Sequence, residues 1–224
     1  MHIPFELTPQ TRLCFLHIPK TGGTSTVHHF WSAFGRDAVR WIGVDTSEAE
    51  ILSEGLPDSV RVVGGHVSKT RAIDMLPPGQ FVFAAIVREP VARAISLYWH
   101  LVNGPDQEEL KAELLASDIN RGIMRSAAFQ ETVRDQQCRF LANQFSELPA
   151  LQAVADAQLA LAPFEEAGAF VQALATGMGG EDAAFPHLHT GNKPSTELAS
   201  ETLSLLGELT ASDQRLYRFA QSGQ

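Results

Sequence analysis

The feature of this sequence that most constrains its fold is an alternation of short apolar runs with helical patterns in the first half of the chain. Four runs are rich in β-branched or aromatic residues, and most lack a polar alternation, as expected for strands buried on both faces. These predicted strands span 12–18, 39–44, 60–65 and 81–87. Helices are predicted over 24–35, 47–54 and 90–102. This order predicts an α/β fold with helices on both faces of a parallel sheet.

Local signals mark the starts of two of these helices. Ser47 has the chemistry of an N-cap, and Glu50 three residues later completes a capping box. Pro90 falls in the first turn of its helix, where proline is tolerated.

The second half of the chain is predicted to be mostly helical from residue 107 onward. The segment 130–176 is rich in Ala, Leu and Gln, which favours two or three helices. Two final helices are expected near 197–208 and 212–221. Because no repeat or dividing linker is visible, we expect a single domain over 1–224.

Charge and cysteine content exclude several functions. A net charge of −9 argues against nucleic-acid binding, which needs a basic face, so any anion site must be a local basic pocket. Cys14 and Cys138 show neither metal nor disulfide spacing, and no metal is expected. The sequence shows no signal-peptide pattern and no apolar window of roughly 18–20 residues. We therefore expect a cytoplasmic protein without a membrane span.

The stretch "LHIPKTGGTS" (16–25) joins the first predicted strand to the first helix. Its glycines allow a tight turn and close approach of a ligand, and the following helix presents its N-terminal N–H groups. A phosphate or sulfate site is one interpretation, and a plain turn with a surface lysine is the other. The residues that could hold the anion are Lys20, Thr21, Gly22, Gly23, Thr24 and Ser25.

Arg88 ends the fourth predicted strand and offers a bidentate fork for a phosphate. Ser96, eight residues later, is a neutral donor for the same anion. The alternative for Arg88 is an ion pair with Glu89 or Asp106.

His66, in "GGHVS", could act as a general base, although a lone histidine after a strand is more often structural. Because parallel strands end at one edge of a sheet, His66, Arg88 and the glycine loop are expected to converge. His17 is expected to be a hydrogen-bonded structural residue. Tyr98, Trp99 and His100 are expected to pack on their helix, with a sugar-binding platform as the alternative at Trp99.

The motifs "HIPKTGGTS" and "VREPVARAISLY", with "GGHVS" between them, resemble the sulfotransferases that use 3′-phosphoadenosine 5′-phosphosulfate (PAPS). The likeness is to the carbohydrate branch that includes heparan sulfate 2-O-sulfotransferase and small bacterial relatives. The likeness covers residues 12–102, and partial matches occur again at "HLHTGNKP" and "SDQRLYRFA". The resemblance implies a P-loop-NTPase-like three-layer sandwich around a parallel sheet of about four to five strands.

The resemblance also implies roles for single residues. His66 would be the general base and Lys20 would stabilise the leaving group, while residues 20–25 hold the 5′-phosphosulfate. Arg88 and Ser96 would bind the 3′-phosphate. The nucleotide would be covered by a later loop, namely Thr190, Gly191, Asn192 and Lys193. The acceptor would be a hydroxyl, with a sugar favoured, although the long basic stretches of a heparan-binding enzyme are missing.

Two other functions are open. A P-loop kinase or NTPase also has a lysine-bearing glycine loop, but its Lys-[Ser/Thr] pair follows the glycines, whereas Lys20 precedes them. The second alternative is a relative that binds nucleotide without chemistry, which would have no need of His66.

Overall fold

The computed structural model of the chain describes residues 1–105, 107–153, 159–186, 188 and 197–222. Within them, five strands form one sheet in the order β2-β3-β1-β4-β5, and every neighbouring pair is parallel. The strands are β1 Leu13–Leu16, β2 Val39–Ile42, β3 Val62–Gly65, β4 Val82–Val87 and β5 Leu159–Pro163.

Helices connect and follow these strands. They are α1 Gly23–Phe34, α2 Glu48–Glu54, α3 Lys69–Met75, α4 Pro90–Asn103, α5 Glu108–Leu115, α6 Ile119–Arg125, α7 Ala127–Val133, α8 Gln136–Ala142, α9 Glu147–Ala153, α10 Ala167–Gly177, α11 Ser200–Leu209 and α12 Ala211–Ser222. Along the described parts of the chain, every helix is too short or too polar to serve as a membrane span.

Two apolar cores cover the two faces of the sheet. Side chains alternate along a strand, so Cys14 and Leu16 of β1 lie in one core and Leu13 and Phe15 lie in the other. The first core includes residues of α2, α3, α8, α9 and α12, and the second includes residues of α1 and α10. A third core joins α4, α5, α6, α7 and α11 beside the sheet.

The predicted α/β fold with a central parallel sheet is confirmed, and the four strands predicted in the first half are all present. The capping box of α2 is also confirmed, because the Ser47 hydroxyl accepts from the Glu50 N–H and the Glu50 carboxylate accepts from the Ser47 N–H. Pro90 opens α4 as predicted.

The fifth strand lies within 130–176, where two or three helices and no strand were predicted. Its sequence, "LALAP", consists mainly of residues that favour helices in isolation. All five residues are buried, and they pair with Phe83–Val87 of β4. Burial against the edge of the sheet therefore overrides local propensity, which a single sequence does not reveal.

The register of the sheet places the strand ends together. Leu16, the last residue of β1, lies opposite Gly65 of β3 and Ala85 of β4. The loops after these three strands consequently leave the sheet at one edge, where open α/β sheets bind their ligands.

Candidate active site

The loop after β1 folds back on itself before α1 begins. Thr21 donates both its amide and its hydroxyl to the carbonyl of Ile18, at 3.3 and 2.8 Å. Lys20 has a φ of +73° and Gly22 a φ of +89°, so two residues adopt the left-handed conformation. Such a conformation is unfavourable for lysine, and residues in unfavourable conformations cluster at functional sites.

His17 contacts the start of α1 directly. Its Nε2 atom accepts a hydrogen bond from the N–H of Gly23 at 3.1 Å, which confirms the expected structural bond of His17. A Cβ atom on Gly23 would lie 1.9 Å from the His17 ring, so this position requires glycine. The first helical bond runs from the Thr26 N–H to the Gly22 carbonyl. The Thr24 and Ser25 N–H groups precede it and can face an anion.

Ser25 links this loop to a distant part of the chain. Its hydroxyl accepts a hydrogen bond from the N–H of Leu188 at 3.1 Å. Leu188 thus lies beside the start of α1. The four residues expected to cover the nucleotide lie outside the described residues, namely Thr190, Gly191, Asn192 and Lys193.

Arg88 follows β4 and is held at both its backbone and its side chain. The Gln137 carboxamide accepts from the Arg88 N–H at 2.8 Å and donates to the Arg88 carbonyl at 2.9 Å. The Arg88 guanidinium donates to the Lys20 carbonyl at 3.1 Å and stacks on Phe164 at 4.7 Å. Burial lowers the pKa of Arg88, while the carboxylates of Glu165 and Glu89 act in the opposite direction.

Glu89, one of the two ion-pair partners expected for Arg88, bonds to backbone N–H groups instead. The Glu89 carboxylate caps α4 by accepting from the N–H groups of Val91 and Ala92 at 3.1 and 2.6 Å. Asp106 lies outside the described residues. Arg88 is therefore oriented by a carbonyl and an aromatic ring, an arrangement that leaves a guanidinium suited to an incoming anion.

Gln137 is positioned by a buried carboxylate. Asp213 of α12 accepts from the N–H groups of Gln137 and Cys138 at 3.1 and 2.9 Å, which caps the start of α8. Burial raises the pKa of Asp213 to about 6, against the opposing effects of Arg93 and of the two amides. The helical second half of the chain thus fixes the backbone of Arg88.

His66 follows β3 and lies against His17. The two imidazole rings are 4.3 Å apart, and His66 forms a hydrogen bond with the backbone of His17. Burial lowers the pKa of His66, as do the nearby His100 and Lys20, while the bond to His17 raises it. Burial lowers the pKa of His17 further, to about 3. Both rings are therefore neutral near pH 7.

The two glycines before His66 are explained by close packing. A Cβ on Gly64 would lie 2.3 Å from the ring of Trp41. Gly65 has a φ of +135°, and a Cβ there would lie 2.7 Å from the carbonyl of Ile42. The glycines bring β2 close to β3 and thereby place His66 at the strand end.

One cleft of about 1410 Å³ gathers most of the predicted residues. Its walls include Lys20, Gly22, Gly23, Thr24, Ser25, His66, Arg88 and Ser96. Thr21 does not line it, because its buried hydroxyl is bound to Ile18 and so shapes the loop instead. No group of three or more His, Cys, Asp or Glu side chains placed to hold a metal occurs in the described parts of the chain.

Sequence reasoning missed several residues of the cleft. His100 was expected only to pack on α4, yet it lines the cleft and influences His66. Its spacing of four residues from Ser96 is the signal that places both on one face of a helix. Phe164, which lines the cleft, and Gln137, which lies behind Arg88 and does not line it, are far along the chain from Arg88, and no local pattern points to them.

Comparison with known proteins finds structures that share the fold of this chain. No protein-family model matches the chain, and no curated protein matches it. Solved structures do match, in 47 chains. One is a sulfotransferase from Alicyclobacillus acidocaldarius, which is 17% identical with a TM-score of 0.55, over 94% of this chain and 96% of that one. At this identity the likeness shows that the two chains share a fold.

Proposed function

We propose that this protein is a PAPS-dependent sulfotransferase that transfers a sulfuryl group to an acceptor hydroxyl. The observation that carries the proposal is the convergence of a lysine-bearing anion loop, an oriented arginine and a neutral histidine in one cleft. The shared fold with a sulfotransferase and the motif resemblance support the same conclusion.

The donor carries phosphate groups at two positions, and the cleft offers two separate anion sites. Lys20 and the N–H groups at the start of α1 suit the 5′-phosphosulfate. Arg88 and the buried Ser96 of α4 suit the 3′-phosphate. The bond from Arg88 to the Lys20 carbonyl ties the two sites together, so each helps to fix the geometry of the other.

The transfer breaks the bond from sulfur to the phosphate oxygen and forms a bond from sulfur to the acceptor oxygen. Negative charge grows on the departing oxygen, where the Lys20 ammonium stabilises it. The acceptor proton passes to His66, which is neutral and therefore able to accept it. The products are the sulfated acceptor and 3′-phosphoadenosine 5′-phosphate (PAP). We place the acceptor hydroxyl on a carbohydrate because of the branch that the motifs resemble.

Labelled PAPS with a panel of hydroxyl acceptors, in excess EDTA, tests this function. Transfer without added metal, together with PAP binding in calorimetry, is the expected result. A strict magnesium requirement with ATP as donor would instead identify a kinase or NTPase. Binding of PAP with no transfer to any acceptor would identify a nucleotide-binding relative.

A further inference from the structure

The cleft extends along one face of α4, well past the residues assigned to the donor. Its wall includes Ala92, Ser96, His100 and Asn103, which recur at helical spacing. Ala92 and Asn103 are about 16 Å apart along the helix axis, at the usual rise per residue. Only the end near Arg88 is needed for the 3′-phosphate, so the remaining length is free for another molecule.

The base lies beside the middle of this face. His66 and His100 both line the cleft, and His100 lowers the pKa of His66. An acceptor hydroxyl that meets His66 therefore lies in the same cleft as His100. The wall of the cleft continues to Asn103, Gly104 and Gln107, and it also includes Thr132 of α7.

The charged side chains in the described wall of the cleft lie near the donor end, and outside that wall the Lys111 ammonium donates to the Gly104 carbonyl at 3.0 Å. Among the described residues that line the cleft, the permanently charged ones are Lys20, Arg88 and Glu165. Arg88 bonds to the Lys20 carbonyl, and Glu165 accepts from the Tyr217 hydroxyl and influences Arg88. The far end is formed by carboxamide, hydroxyl and imidazole groups, and by Trp99, which packs edge-on against Tyr98 at 5.3 Å.

Beyond the far end the surface becomes acidic. A second hollow of about 640 Å³ shares Gln107 and Thr132 with the cleft, and its walls also include Glu108 and Glu109. An anionic acceptor that reached this hollow would meet the carboxylates of Glu108 and Glu109, and none of the described residues in the wall of the hollow is a cation. Like charges in such a position disfavour binding.

We propose that the acceptor is an uncharged glycan that lies along α4 from His66 to Gln107, a proposal that rests on the sulfotransferase function above. Carboxamides both donate and accept, as sugar hydroxyls do, so Asn103 and Gln107 match them in either direction. Trp99 supplies an apolar surface for the carbon face of a sugar ring.

The first test compares acceptors of different charge with labelled PAPS. Neutral glucan, mannan and xylan hexasaccharides are set against a heparosan oligosaccharide, which carries carboxylates, and a chitosan hexamer, which carries amines. We expect at least one neutral glycan to be labelled about tenfold faster than heparosan, a difference of about 1.4 kcal/mol. Equal or faster labelling of heparosan, or labelling of chitosan alone, overturns the proposal.

The second test changes the far end alone. Asn103→Ala and Gln107→Ala should each raise KM for the neutral glycan several-fold, while PAP affinity stays within about twofold. Gln10→Ala removes an exposed carboxamide outside the cleft and should change neither quantity. The double variant Asn103→Lys, Gln107→Lys should improve transfer to heparosan. An unchanged acceptor KM in both alanine variants contradicts the assignment.

The two proposals fail in different ways. A wild-type protein that does not bind PAP in calorimetry refutes the sulfotransferase function itself. A wild-type protein that binds PAP but labels no neutral glycan refutes only the assignment of the acceptor.

Discussion

His17 joins the anion loop to the candidate base. Its Nε2 atom accepts from the Gly23 N–H at 3.1 Å, and its ring lies 4.3 Å from that of His66. One residue at the end of β1 thus supports both the start of α1 and the imidazole that would take the acceptor proton. The pKa of about 3 keeps His17 neutral, so its lone pair remains available to Gly23 at every pH near neutrality.

Loss of the His17 acceptor should weaken the loop. His17→Phe keeps a flat ring but leaves the Gly23 N–H without its partner, which costs about 1–3 kcal/mol for a buried donor. We expect PAP affinity and kcat/KM to fall by about 5- to 150-fold. His17→Gln, whose amide oxygen can take the place of Nε2, should recover most of both. If His17→Phe and His17→Gln show the same PAP affinity in calorimetry and the same kcat/KM, the hydrogen bond from the Gly23 N–H to His17 does not contribute to donor binding or transfer.

A side chain at Gly23 should be far more damaging than one at a glycine elsewhere. In Gly23→Ala the new Cβ would overlap the His17 ring, so the loop must shift. We expect about a tenfold or greater loss of PAP affinity, together with a lower melting temperature. Gly207→Ala in α11 is the control, because nothing lies within 4 Å of its Cβ and alanine favours helices. Comparable losses in both variants would count against close packing as the cause.

The pH dependence of transfer should report on His66. A general base must be neutral, so kcat/KM should rise with pH through the pKa of His66 and then level off. Because that pKa is lowered, the rise should be centred below the ordinary value of 6.5. Lys20 is one of the groups that lower it, so the residual activity of Lys20→Met should show the rise at higher pH. A rise centred at 6.5 or above in the wild type would contradict a lowered pKa.

His66→Ala complements that profile. We expect transfer to fall by roughly 10²- to 10⁴-fold, the usual contribution of a positioned base. PAP affinity should stay within a few-fold, since the imidazole is assigned to the acceptor proton. Retention of most activity in single-turnover assays would remove His66 from the mechanism.

The parts of this site that follow strands directly could be predicted from the sequence. Lys20, His66 and Arg88 each come soon after an apolar run, and parallel strands must end at one edge, so their convergence needs no tertiary information. β5 could not be predicted, because "LALAP" favours a helix until burial against β4 decides otherwise. The bond from the Thr21 hydroxyl to the Ile18 carbonyl could not be predicted either, because a sequence does not specify which way a loop side chain points.

The last prediction concerns Gln137, a residue that no local sequence pattern indicates. Its carboxamide is buried and bonds to both backbone groups of Arg88. Gln137→Glu keeps the shape but replaces a donor with a carboxylate beside the Arg88 carbonyl, which should cost about 1–3 kcal/mol of folding free energy. Because Arg88 then loses its fixed backbone, PAP affinity should also fall, toward that of Arg88→Ala.

Gln130→Glu is the matched control for Gln137→Glu. Its amide donates to the carbonyls of Ile123 and Met124, and Gln130 does not line the cleft. We expect this variant to lose stability in denaturant titrations while its PAP affinity in calorimetry stays at the wild-type value. If Gln137→Glu also unfolds more easily but binds PAP as well as the wild type does, Gln137 stabilises the fold without positioning Arg88 for the donor.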